Sequence, residues 1–147
     1  MPQKQTYSTT SPYETLIGYH RAIRHGQQIF VSGTTAIDPT SPPACPQILY
    51  PGDAKQQTIV ALSECIKAVI ALGGTGAENV VRVRMFVSRH EDCGAVGEGF
   101  KYVLGKDKGG GIGAAATMIV VRGGFVNEGM LVEVEVDAVV DAVGDGE

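Results

Sequence analysis

Between Leu131 and Ala138 the chain reads Leu-Val-Glu-Val-Glu-Val-Asp-Ala, apolar and acidic by turns. A two-residue period is the mark of a strand with one dry face and one wet face, so Glu133, Glu135 and Asp137 share a side while the valines line a core. Val80–Val87 alternates too: Val81, Val83, Met85 and Val87 fall on one side, and Val80, Arg82, Arg84 and Phe86 on the other. Acids on one strand and arginines on another specify a sheet with a buried face and a charged one. Cross-strand ion pairing accounts for Glu135 and Asp137. Glu133 has a second reading of equal weight, a functional carboxylate whose pKa is raised by acidic neighbours and partial burial.

Helices cover the buried face. Asp53 is placed to cap a first turn with Gln56 at the capping-box position, and Ile59, Leu62, Ile66, Val69 and Ile70 recur at helical spacing until Gly73-Gly74 stops the run. A second helix is expected from Asp92 to Leu104 with Val96, Phe100, Val103 and Leu104 on one side. Gly94, Gly97 and Gly99 each cost it up to about 1 kcal/mol relative to alanine, so packing must hold it. His20–Arg24 and Gln28–Ser32 flank a turn at Gly26-Gln27 and read as a hairpin. Five prolines between Asp38 and Gly52 force a surface excursion.

Residues 1–12 are polar and read as a flexible N-terminal arm, with order beginning near Tyr13, and residues 142–147 read as a tail. Lys106–Gly113 is a glycine-rich loop without the Gly-Lys-Ser/Thr of a phosphate loop, suited at most to a lid over a pocket. The expected order is β-β-α-β-α-β-β in one domain spanning residues 13–141, an α+β arrangement of one sheet with two helices on one face.

A formal net charge of −4 on 147 residues offers no basic field for nucleic acid. Cys45, Cys65 and Cys93 lie far apart, without metal-ligand spacing, and read as reduced thiols. The polar first residues have no apolar leader segment, and no run of about 18 apolar residues occurs. A cytoplasmic protein without metal is the expectation.

The ordered set of Gly18-Tyr19, Phe30-Val31-Ser32-Gly33, the long helix ending in Gly-Gly, Val80–Val87 and the paired strands Ala114–Val121 and Leu131–Ala138 resembles the RidA/YjgF family. The resemblance spans Ile17–Val140. It implies a chorismate-mutase-like α+β fold with a single mixed sheet, homotrimers whose sheets form a central barrel, and pockets between adjacent subunits. It also implies hydrolysis of enamines or imines to ketones and ammonia with no metal or cofactor.

Residue by residue, Glu133 matches the family's site glutamate, Gly33 its strand-end glycine and Tyr19 its tyrosine at the pocket mouth. Phe100 matches an aromatic position. Gly97 stands where an asparagine is frequent, and Met118 where a cysteine is. Ala116 takes the place of the arginine that anchors the substrate carboxylate, and Ala114 that of the preceding proline. Branches of the family with an Ala-Thr-Met strand, here Ala116-Thr117-Met118, and a Tyr-x-Arg-Ala-x-Arg segment, here Tyr19–Arg24, are the better likeness. Alanine supplies neither charge nor bidentate geometry, so an amino-acid-derived substrate loses its anchor.

His20, Arg21 and Arg24 beside Tyr19 are the candidates to replace that cation or to move a proton. The alternative makes the arginines solvated edge-strand residues and His20 a packed polar neighbour. The expected catalytic set is Glu133 with Tyr19 or His20. The expected substrate contacts are Gly33, Arg21, Arg24, Phe100, Ala116, Thr117 and Met118. The function expected is cofactor-free hydrolysis or proton transfer on a small reactive imine, enamine or enol. Its rivals are a non-catalytic binding or scaffold trimer and, less favoured for an acidic chain, an endoribonuclease or translation inhibitor.

Overall fold

The computed structural model describes residues 3–107 and 113–142. Six strands form one mixed sheet in the order β1-β2-β3-β6-β4-β5. They are β1 (Gln5–Tyr7), β2 (Ala22–His25), β3 (Gln28–Thr34), β4 (Val80–Val87), β5 (Ala115–Val120) and β6 (Val132–Val139), and the helices are α1 (Pro12–Ile17), α2 (Ala54–Ala71) and α3 (Cys93–Leu104). Among the described residues only β4 and β5 run parallel, joined by the α3 crossover that parallel neighbours require.

The strongest sequence patterns fold as their chemistry dictates. On β6, Val132, Val134, Val136 and Ala138 are buried while Glu133, Glu135 and Asp137 are partly exposed on the opposite face. The Asp53 side chain accepts from the Gln56 amide at 3.0 Å and caps α2. At the other end Gly73 turns left-handed at φ 101°, and the Gly73 and Gly74 amides donate to the Ile70 and Val69 carbonyls. Leu62, Ala68 and Val69 of α2 and Val96 and Leu104 of α3 close over the valines of β4 and β6. Fully burying each such side chain stabilises the fold by about 1.5–3 kcal/mol.

The arm is not free. Residues 5–7 form β1, an edge strand pairing Gln5 with Arg24 and Tyr7 with Ala22, and the next element, α1, starts at Pro12. Three residues of strand are too short and too polar to stand out from a sequence, and they exist because β2 offers an unpaired edge. On β4 the expected alternation fails at its first turn: Val80 is buried and Val81 exposed, because pairing with β6 shifts register between Val80 and Arg82. From Val83 onward the expected faces hold.

The glycines of α3 have a use that offsets their helical cost. A Cβ on Gly99 would stand 2.7 Å from Thr58 Cβ and 2.9 Å from the Lys55 carbonyl, so α2 and α3 approach each other only because Gly99 is bare. Gln57, fully buried on α2, donates to the Tyr50 and Gly129 carbonyls and accepts from the Leu131 amide. That clamp sets the entry of β6. The proposed lid, Lys106–Gly113, lies largely outside the described residues, as does most of the 142–147 tail.

Candidate functional site

Tyr19 precedes β2, Gly33 lies near the end of β3 and Glu133 near the start of β6, and all three line one cavity of about 410 Å³. The pairing of β3 with β6 is irregular between Val31 and Thr34, beside Gly33. Gly33 is required there by space rather than by backbone angle, because a Cβ on it would overlap the Glu133 carboxylate. Glu133 is half-buried, and burial, then the neighbouring charge of Glu135, pushes its pKa above the ordinary value of 4.5, with Arg21 opposing. The sequence expectation of a raised pKa holds with burial as the leading cause. Glu135 and Asp137 instead pair with Arg84 at 3.4 and 3.3 Å on a partly exposed face. Glu133 stands opposite Phe86, not an arginine.

Arg21 is buried, not solvated. Its Nε donates to Glu14 at 3.2 Å, Nη1 to the Gly33 carbonyl at 2.7 Å and to Thr34 Oγ1 at 2.9 Å, and Nη2 to the Tyr19 hydroxyl at 3.3 Å. The guanidinium also stacks over the Tyr19 ring, 5.5 Å from its centre. Glu14, equally buried, accepts from the Thr9 amide and hydroxyl as well. This network fastens α1 and the segment before it over the cavity, whose wall includes Thr9, Ser11 and Ile17. Glu14, in a helix of six residues, carries no periodic signal from which its part in the site is legible.

Arg24 is buried too, but it donates to the Gly26 and Leu72 carbonyls, the second at the C-terminus of α2, and does not line the cavity. His20 is exposed, with Nδ1 3.0 Å from Ser8 Oγ, and is likewise outside the lining. Phe100, Ala116, Thr117 and Met118 are not in the lining either. Ala116 pairs with Val83 and Met118 with Met85, at the opposite end of the sheet from β1. Met118 packs against the core beside α3, where a Cβ on Gly97 would stand 4.0 Å from its Cε. The expected site residues thus fall in two groups, one at the cavity and one along β5 and α3.

Burial pushes the Cys65 thiol, also beside Thr34 and Arg21, up to about 12, which keeps it protonated and unreactive. Among the described residues no cluster of His, Cys, Asp and Glu is arranged to hold a metal ion, and no helix is long and apolar enough to cross a membrane.

The family model described as Endoribonuclease L-PSP matches residues 9–140. The uncharacterized protein SCO2049 of Streptomyces coelicolor is 35% identical over 134 residues, covering 90% of both chains. RutC family protein UK114 of Drosophila melanogaster is 28% identical over 104 residues, 71% of each chain. Among solved structures, Rv2704 of Mycobacterium tuberculosis, a member of the YjgF/YER057c/UK114 family, superposes with a TM-score of 0.72 at 29% identity, covering 94% of this chain and 100% of that one. PA3499 of Pseudomonas aeruginosa, a protein of unknown function, reaches 0.76 at 25% identity over 97% and 96%. With the family model spanning nearly the whole chain and the fold superposing on a solved member along its length, this protein belongs to the RidA/YjgF family, also named RutC and UK114.

Proposed function

We propose that this chain is a RidA-like enzyme acting on a small imine, enamine or enol by cofactor-free hydrolysis or proton transfer at Glu133. The observation that carries the reading is the carboxylate itself, half-buried in a cavity of about 410 Å³, where burial pushes its pKa above the ordinary value and lets it hold a proton more readily than a free carboxylate. For an imine, protonated Glu133 passes its proton to the nitrogen, and the resulting carboxylate draws a proton from water as the oxygen bonds to the iminium carbon. Glu133 then gives that proton to the amine of the carbinolamine, and as the C–N bond breaks the hydroxyl proton passes back to the carboxylate, which releases ammonia and leaves the carbonyl product with Glu133 protonated again. An enamine enters the same sequence after protonation at carbon. Tyr19, whose hydroxyl oxygen accepts from Arg21, has its own O–H left to orient the substrate.

The reading includes a homotrimer. Ala116, Thr117 and Met118 on the edge strand β5 and Phe100 on α3 lie apart from the cavity, and a neighbouring copy would carry them to it as the other wall of an inter-subunit pocket. It also places the chain in a branch whose carboxylate anchor is replaced by Ala116. Endonucleolytic chemistry fits less well, since Asp38, Glu64 and Glu133 give the cavity an acidic lining that repels phosphate.

The test supplies imines generated in place by amine and amino-acid oxidases and follows ammonia release over the spontaneous rate. Glu133→Gln is expected to lower kcat by about 10²–10⁴-fold. Unchanged turnover in the variant overturns the mechanism.

A further inference from the structure

We infer that the cavity selects neutral or cationic imines and rejects those bearing a carboxylate. The inference rests on the reading above and narrows it to a charge class. Among the described residues the sole cation in the lining is Arg21. Recognition of a carboxylate by arginine draws its strength from two parallel N–H groups. Arg21 has spent Nε on Glu14, both Nη1 hydrogens on Gly33 and Thr34, and one Nη2 hydrogen on Tyr19, which leaves a single N–H. Its charge is already balanced by Glu14 at 3.2 Å, with both side chains buried.

The same lining carries Asp38, Glu64 and Glu133. Hydrogen bonds from the Thr40 hydroxyl and amide hold the Asp38 pKa below its ordinary value, so this carboxylate stays charged. Glu64 is partly offset by Lys67 at 3.0 Å on its exposed side, and Lys67 does not line the cavity. The second group of expected contacts, Phe100, Ala116, Thr117 and Met118, is uncharged. A bound anion therefore meets two or three carboxylates without a fork to receive it, whereas an iminium nitrogen meets favourable charge.

A matched pair of probes tests this: the cyclic imine pyrroline, and the same ring carrying a carboxylate beside the nitrogen. Affinities measured by ligand-observed NMR on the full chain, at low and high salt, do not depend on turnover. Pyrroline is expected to bind at least about tenfold more tightly, with the preference shrinking at high salt. The paired substitution Asp38→Asn with Glu64→Gln is expected to bring the two affinities within about threefold, since it removes the repulsion. Tighter or equal binding of the carboxylate, a preference unchanged in the paired variant, or binding of neither probe overturns the inference. If pyrroline is preferred but no imine is ever turned over, the charge rule stands and the Glu133 mechanism falls.

Discussion

Gly33 and Glu133 form a unit in which one residue's missing side chain is the other's space. Gly33→Ala is expected to displace the Glu133 carboxylate and destabilise the fold by about 1–3 kcal/mol, the usual cost of overpacking, read as a lower urea midpoint together with lost turnover. Glu133 also makes stability depend on pH in a predictable sense. Its folded pKa lies above the ordinary value, so its contribution is fully present below the unfolded pKa and is lost as pH rises through the folded one. Glu133→Gln cannot ionise. The variant should therefore be more stable than the parent near neutrality, with the gap closing below the ordinary carboxylate range, in urea titrations at both ends of that window. A variant no more stable at neutrality would show that the burial is relieved in solution. Glu133 was legible from its alternation with valine, but Glu14 was not, because its role depends on Arg21, just before β2, folding back onto α1.

Among the elements, α2 is the one whose local sequence and final structure agree most closely. Its Asp53 cap bonds as the spacing requires, and Asp53→Ala is expected to cost about 1 kcal/mol, measured by thermal or urea unfolding. Helix α3 teaches the reverse lesson. Its glycines weaken the helix considered alone, yet Gly99 is what lets α3 lie against Thr58 and Lys55 of α2. Strand β1 and the register shift on β4 were invisible for a shared reason: each depends on an adjacent strand, β2 in one case and β6 in the other, and a neighbour's edge leaves no trace in local residue order.

For the whole molecule, the sheet face away from α2 and α3 carries Phe30, 46% exposed, and Ile119, 48% exposed, together with the Arg84, Glu135 and Asp137 cluster. The proposed trimer buries this face. Light scattering is expected to give three times the chain mass, and Phe30→Asp, which sets a new carboxylate opposite Asp137, is expected to shift the population toward monomer. A parent protein that runs as a monomer would remove the inter-subunit pocket. What residue order alone established is the set of strands and helices with strong periodicity, the acid row of β6 and the alanine at position 116, since each follows from spacing or identity within a few residues. Which carboxylate in that row meets an arginine and which is left in a cavity depended on register between strands distant in sequence. So did the fate of the two arginines beside Tyr19: Arg21 turns onto Glu14 and Gly33 and Arg24 onto Leu72, because buried guanidinium groups go where the fold leaves acceptors unpaired.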